Sequence, residues 1–329
     1  MPHAPHPLPI NEPAHPVATG EGDAVAMAAS GITAVVVTFN PDTTLLAELL
    51  RRTRPQVEHI ELIDNGSTEP TLDAIRALCA DDQVRLTTLG ENRGVAGAQN
   101  AGIALARQHG ARYVLLLDHD SLPSEGMVAR LRTAIEHAPA SQQPVGAAGP
   151  RFVDERQRES ITPFRRLVGV RRVRCQCETD DQLLDVEHVI ASGCLIPLAV
   201  LNQVGDMDAG LFIDYVDIEW CLRAQHHGFH ILGVCAASMV HNLGENPIRI
   251  FGRNLPNHSP LRNYYLFRNA LLLYRMSHIS WQWKCMDARI FIMRIGLYLA
   301  TMKPRIPRLN MILRGLFDGL RKKTGPFQP

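Results

Sequence analysis

The sequence predicts an α/β protein, an open, mostly parallel sheet flanked by helices and followed by a helical C-terminal region. Three observations predict it. From residue 31 to about 117, short apolar runs rich in Val, Ile and Leu alternate with longer stretches of helical period, the pattern of successive βαβ units. The apolar runs lack polar alternation, as expected of strands covered on both faces. Residues 261–320 carry helical, amphipathic spacing throughout.

The elements follow in order. Residues 34–39, Ala-Val-Val-Val-Thr-Phe, read as the first strand, and 45–52 as a helix. Residues 60–63 form the second strand, 71–80 a helix, 84–89 the third strand, 96–108 a helix closed by Gly110, and 113–117 the fourth strand. After Pro150 the rhythm loosens, and 151–188 show no clear period. Residues 189–196 then read as a strand, 197–204 as a helix, 216–227 as a helix ending at Gly228, and 230–234 as a strand. The division expected is a disordered Pro/His-rich leader over 1–30, two halves of one α/β domain over 31–150 and 151–250, and basic amphipathic helices over 251–329.

Composition narrows the function. Of 329 residues 46% are hydrophobic and 20% charged, with 34 Lys and Arg against 33 Asp and Glu. A net charge of +1 argues against a nucleic-acid partner. No run reaches the roughly 18 apolar residues of a membrane span, since Arg275 and Arg294 interrupt the longest candidates. Seven cysteines lie scattered, with only Cys175 and Cys177 close together, at neither a zinc nor a redox spacing. They are expected to be reduced thiols of a cytoplasmic protein. Seven Lys and Arg fall between Lys303 and Lys323 against a single acid, Asp318. That stretch fits a peripheral site on an anionic membrane surface and, nearly as well, a solvated helical cap.

In open α/β sheets ligands bind at the carboxyl ends of the strands. Here those ends read Thr38-Phe-Asn40-Pro, Asp64-Asn-Gly-Ser, Glu91-Asn92-Arg-Gly94 and Asp118-His-Asp120-Ser. Each alone is an ordinary turn or helix cap; together they form a polar rim. Neither a G-x-G-x-x-G nor a G-x-x-x-x-G-K-[ST] loop occurs, so a bound diphosphate needs another counter-charge. Asp118 and Asp120 share one side of an extended segment and suit Mg²⁺ or Mn²⁺ shared with phosphate oxygens; His119 faces away. Asp217 sits in the first turn of its helix, whereas Glu219 is placed to pair with Arg223. His241 follows an apolar strand and is either a packed histidine or a metal ligand. Arg262 and Arg268 suit phosphate oxygens, or form a plain cationic stripe.

Taken together, the chain resembles family 2 glycosyltransferases of the GT-A fold, and among them bacterial rhamnosyltransferases. The resemblance covers about residues 32–275. It is carried by Val-Val-Thr-Phe-Asn-Pro (36–41), Asp-Asn-Gly-Ser (64–67), the 91–100 stretch beginning Glu-Asn-Arg-Gly, Leu-Leu-Leu-Asp-His-Asp-Ser (115–121), Phe-Ile-Asp-Tyr-Val-Asp-Ile-Glu-Trp (212–220) and Leu-Arg-Asn-Tyr-Tyr-Leu-Phe-Arg-Asn (261–269).

The resemblance implies that Thr38, Asn40 and Asp64 hold the base and ribose of a nucleoside-diphosphate sugar. It implies that Asn92 and Gly94 line the nucleotide, that Asp118 contacts the donor, and that Asp120 and His241 hold Mg²⁺ or Mn²⁺. Asp217 matches the family's catalytic base; where the family carries Glu-Asp this chain has Val216-Asp217, and His119 stands where rhamnosyltransferases often carry Gln. Arg262 and Arg268 would face the leaving diphosphate. The implied reaction is inverting transfer of L-rhamnose from dTDP-L-rhamnose to a hydroxyl of a lipid-linked glycan or glycolipid, at the cytoplasmic face of the bacterial inner membrane. Two rival readings remain at this level. Residues 118–122 also look like the motif of haloacid-dehalogenase-like phosphatases, with Asp118 as nucleophile, although that motif normally follows the first strand of its fold. The other rival is a non-catalytic polysaccharide-assembly protein.

Overall fold

The computed structural model describes residues 29–79, 81–138, 143–154, 159–161, 164–241, 248–250, 253–255, 259–301 and 303–328. The expected leader therefore lies almost wholly outside the described residues. The strands are β1 (Ile32–Thr38), β2 (His59–Asp64), β3 (Val84–Thr88), β4 (Tyr113–Asp118), β5 (Ser121–Pro123), β6 (Val145–Asp154), β7 (Glu159–Ile161), β8 (Arg165–Val168), β9 (Arg171–Arg174), β10 (Leu183–Asp185), β11 (Cys194–Pro197), β12 (His230–His241), β13 (Ile248–Ile250) and β14 (Arg253–Leu255). The α-helices are α1 (Thr43–Thr53), α2 (Glu69–Leu78), α3 (Gly94–Gln108), α4 (Met127–Glu136), α5 (Leu198–Val204), α6 (Val216–His226), α7 (Pro260–Leu273), α8 (Trp281–Thr301) and α9 (Arg305–Leu320).

The central sheet runs β10-β12-β6-β11-β4-β1-β2-β3, with β5 on β12 and β7 on β6. Strands β3, β2, β1 and β4 are mutually parallel, as the alternation of runs and helices predicts. β11 then enters antiparallel between β4 and β6, so the completed sheet is mixed. Every residue of β1 is buried, and the period of two divides them between two cores. Val35 and Val37 face a core shared with α3, α5, α6, α7 and α8. Ile32, Ala34 and Val36 face a second core with Leu46 and Leu49 of α1 and Val128 and Leu131 of α4. Each such fully buried aliphatic side chain is worth roughly 1.5–3 kcal/mol of transfer free energy.

Several boundaries differ from expectation. The helix expected from residue 96 begins at Gly94, whose φ of 76° no Cβ-bearing residue adopts easily. Residues 189–193 are not strand; only Cys194–Pro197 pairs, after a turn through Gly193 at φ 84°. The strand read over 230–234 runs on to His241, past a shift of register between Val234 and Ser238 that interrupts its pattern. Helix α4, strand β6 and the short strands between β6 and β11 went unread, because short or irregular segments carry too few periods. The continuous helix over 261–320 is broken into three. One expectation is corrected outright: Cys177 and Cys235 form a disulfide, their Cα atoms 5.7 Å apart. They are 58 residues apart in sequence, so spacing could not reveal the pairing. Cys79, Cys175, Cys194, Cys221 and Cys285 are free thiols.

Helix α3 lies against β1 at Gly102, where a Cβ would come within 2.3 Å of Val35 Cγ1. Gly102→Ala should therefore cost about 1–3 kcal/mol through overpacking despite alanine's better helix propensity, read as a lower denaturation midpoint in urea.

Candidate active site

The carboxyl ends of β1 and β2 are tied together. Thr38 is fully buried and its Oγ1 donates to Asp64 Oδ1 at 3.3 Å. The other oxygen of Asp64 accepts from the backbone N–H groups of Gly66 (3.1 Å) and Ser67 (3.0 Å), a turn built on the carboxylate. Asn40, at φ 45°, is tied to the same turn, its N–H donating to Ser67 Oγ and its Oδ1 accepting from Thr68 N. Asn92 shapes the third loop, its Oδ1 accepting from Gly94 N at 2.9 Å and Asn65 Nδ2 at 3.1 Å. Thr38, Asn40, Asp64, Asn92 and Gly94 thus form one hydrogen-bonded rim.

The opposite wall is the segment from Ala209 to Asp217. Phe212, Asp214 and Tyr215 all have φ between 64° and 66°, a rare cluster of left-handed non-glycine residues directly before α6. Gly94 abuts this wall, since a Cβ there would lie 2.4 Å from Phe212 O. Asn269, buried in α7, holds the segment with Nδ2 contacts to the carbonyl oxygens of Leu211 (2.9 Å), Ile213 (2.8 Å) and Asp214 (2.9 Å). Phe212 stacks on Tyr265 of the same helix.

Arg268 corrects an expectation. Its side chain is buried rather than facing a cleft or solvent, and it donates to the carbonyl oxygens of Leu211, Gly210 and Gly325 and to Asn269 Oδ1. With those N–H groups committed, Arg268 positions the loop and does not reach a diphosphate. Arg262, one face away, remains half-exposed and grips Asp214 bidentately at 3.0 and 3.1 Å. Burial pulls its pKa down, but Asp214, then Asp118 and Asp217, raise it above the ordinary guanidinium value. Carboxylates from β4, the 209–215 segment and α6 therefore lie within electrostatic reach of one guanidinium, which touches Asp214.

Asp217 lies in the first turn of α6, its Oδ1 accepting from Ile218 N at 2.8 Å. Burial raises its pKa above the ordinary carboxylate range, with Asp214 adding to the rise and the charge of His188 opposing it. Asp118 closes β4, where its N–H donates to Ser192 Oγ, which in turn donates to Ser121 Oγ at 2.6 Å. Ser121 opens β5, and the antiparallel register sets His241 of β12 opposite it, one residue beyond Asp120. The His241 side chain lies outside the described residues, and among the described residues no group of three or more His, Cys, Asp or Glu gathers as a metal cluster. Glu219 pairs with Arg223 at 2.9 Å, as its spacing predicts, and also with His278.

Residues that sequence reasoning missed include Asp214, Asn269 and Ser192. No local signal distinguishes them; their roles come from partners 48 to 74 positions away. Glu187 was missed too. It is buried, accepts from Arg172 NH2 (2.5 Å) and Trp283 Nε1 (2.9 Å), and so pins α8 to the 186–188 segment beside Asp217's neighbour His188.

With this geometry in view, the family model described as Glycosyl transferase family 2 matches residues 33–196. The dTDP-rhamnosyl transferase RfbF of Shigella flexneri is 32% identical over 298 residues, covering 90% of this chain and 97% of that protein. A low-salt glycan biosynthesis hexosyltransferase of Haloferax volcanii is 23% identical over 278 residues, covering 82% and 85%. Among solved structures, residues 1–349 of TarS from S. aureus superpose with a TM-score of 0.55 at 14% identity, over 88% of this chain and 80% of that one. A mannosyltransferase of Pyrobaculum calidifontis, crystallised with GDP-Man and Mn²⁺, gives 0.53 at 14% identity over 89% and 87%. Fold and sequence together define a glycosyltransferase with the GT-A architecture. The chain belongs to glycosyltransferase family 2, which removes both rival readings; Asp118 accordingly ends the fourth strand rather than the first.

Burial alone would raise the Glu187 pKa, but His188 at 3.4 Å and the charge and hydrogen bonds of Arg172 hold it at about 2. A depressed carboxylate contributes stability that is complete above its unfolded pKa and is lost as pH falls through the folded value. Unfolding free energy should therefore fall between about pH 4.5 and pH 2, and Glu187→Gln should make that fall shallower in acid titrations followed by circular dichroism.

Proposed function

We propose that the protein transfers L-rhamnose from dTDP-L-rhamnose to a hydroxyl of a lipid-linked glycan or glycolipid, with inversion at the anomeric carbon. The observation that carries the reaction class is the ion pair of Arg262 with Asp214 at the wall before α6, with Asp118 and Asp217 near enough to raise the pKa of the same guanidinium. The donor assignment draws on the near full-length similarity to the Shigella protein named as a dTDP-rhamnosyl transferase.

In this reading Thr38, Asn40, Asp64, Asn92 and Gly94 form the nucleotide-facing rim, and Asp118 contacts the donor. Asp217 acts as general base. Its carboxylate takes the proton from the acceptor hydroxyl as that oxygen attacks the anomeric carbon, and the bond to the diphosphate breaks on the opposite face. A base whose pKa is raised by burial accepts a proton more readily than an ordinary carboxylate, so the desolvation at Asp217 serves the step. Arg262, oriented by Asp214, stands ready to stabilise charge on the departing diphosphate. Asp120 and Asp118 would hold Mg²⁺ or Mn²⁺: both donors are oxygens, and such ions usually take one or two carboxylates plus substrate phosphates. His241, beside Ser121 in the register, would complete the set. A bound cation supplies Lewis-acid neutralisation of the diphosphate.

Among the described residues no helix is long and apolar enough to cross a membrane. The Cys177–Cys235 bond removes the cysteine argument for a reducing compartment. A cytoplasmic location, peripheral to the inner membrane, is therefore proposed from the donor class alone.

Asp217→Asn should lower kcat by ~10²–10⁴-fold while the Kd for dTDP-L-rhamnose, measured by calorimetry, stays unchanged; turnover near that of the parent protein would dismiss Asp217 as the base. Transfer should also cease on chelation with EDTA and return on adding Mg²⁺ or Mn²⁺, followed by release of dTDP. Persistent transfer in the chelator would remove Asp120 and His241 from a metal role.

A further inference from the structure

Helix α9 is apolar on two faces. Its inner face packs against α7 so closely that a Cβ at Gly315 would lie 2.5 Å from Tyr264 O, and one at Gly319 would lie 2.9 Å from Arg268 O. Ile312 fills the core there, and Asp318 accepts from Tyr264 Oη at 2.9 Å. The helix is thus locked by one side. On the other side Ile306, Leu309, Leu313, Phe317 and Leu320, spaced by three and four residues, form a continuous stripe along the axis. All five are exposed, Ile306 by 74% and Phe317 by 55%.

The charge around the stripe has one sign. Lys303, Arg305, Arg314, Arg321, Lys322 and Lys323 are exposed on and beyond the helix ends and flank. From Trp281 to Gln328 the only acidic side chains are Asp287 and Asp318, and both are buried. Of these cations Lys323 pairs with Asp318 at 3.0 Å, and α8 and α9 carry no exposed carboxylate. An exposed apolar ridge bordered by Lys and Arg is the chemistry of a helix lying in a lipid interface, apolar side down and cations among the headgroups.

We infer that α9 docks this protein on an anionic lipid surface, lying in the plane of the interface and not crossing it. A second copy is the weaker occupant, since a two-fold contact through the stripe would set the same cationic border against itself. The inference stands on the surface chemistry of α9 and is independent of the donor and acceptor proposed above.

Flotation of the full chain with vesicles tests it. The protein should float with vesicles of phosphatidylglycerol and phosphatidylethanolamine and not with vesicles of phosphatidylcholine alone. Raising the salt from ~0.1 to ~0.5 M should weaken the binding about tenfold, as expected of interfacial cations. Leu313→Glu with Phe317→Glu should abolish it, while thermal melting and dTDP-L-rhamnose binding stay as in the parent because both side chains are exposed. Failure to float with anionic vesicles, or equal flotation of the double variant, would overturn the inference. So would a dimer in light scattering that the double variant converts to a monomer.

Discussion

The site depends on a short stretch of chain held in a conformation it would not choose. Phe212, Asp214 and Tyr215 each occupy the left-handed region, at a cost on the order of 1 kcal/mol or more apiece. The stretch persists because α7 reads its backbone. Buried Asn269 contacts the carbonyl oxygens of Leu211, Ile213 and Asp214, and buried Arg268 donates to Leu211 O again and to Gly210 O. Hydrogen bonds from a charged donor contribute about 1.5–3 kcal/mol apiece, which is enough to offset the backbone cost. Turning the chain here puts Asp214 against Arg262 and starts α6 with Asp217 in its first turn.

The same clamp explains why Arg268 cannot be read from sequence. A Lys- and Arg-bearing helix suggests phosphate chemistry or a solvated stripe, and Arg262, half-exposed, fits that suggestion. Arg268 lies six residues on, nearly two turns further along α7, yet it is wholly enclosed by Tyr264, Tyr265 and the 325–327 tail. Only the return of the tail, where Gly325 N donates to Gly210 O at 2.7 Å, decides which arginine is inside. That contact spans more than a hundred residues and leaves no local trace.

Legibility follows the same division throughout. Strands β1 to β4 and the helices between them were readable because burial on both faces leaves uninterrupted apolar runs and because these four strands pair in parallel with one another. The polar residues at their ends were readable for the same reason, as the points where the runs stop. The place of Asp217 in the first turn of α6 was legible from the helix start, its proposed role only from the family resemblance, and the Glu219–Arg223 pair from its spacing. Past β5 the sheet is assembled by antiparallel insertion of β11, by a β12 with shifted register, and by short strands such as β10, whose partner β12 lies far along the chain. Such strands contribute too few residues to show a period. Asp214, Ser192, Glu187 and the Cys177–Cys235 bond belong to this assembled half, so their chemistry exists only once the register is set.

Helix α7 is where these two kinds of structure meet. One side of it carries the buried Asn269 and Arg268 that hold the 209–217 segment, and another receives Gly315 and Gly319 of α9 at near-contact distance. Glycine at both positions lets α9 approach α7's own backbone carbonyls, so no flexible side-chain layer separates them. The outer face of α9 is therefore rigidly placed relative to Asp217, through a single intervening helix. Interhelical spacings of about 8–10 Å set the scale of that separation. If α9 rests on a lipid surface as inferred, α7 fixes both that contact and the 209–217 segment, so the two would keep their relation without a large movement of the domain.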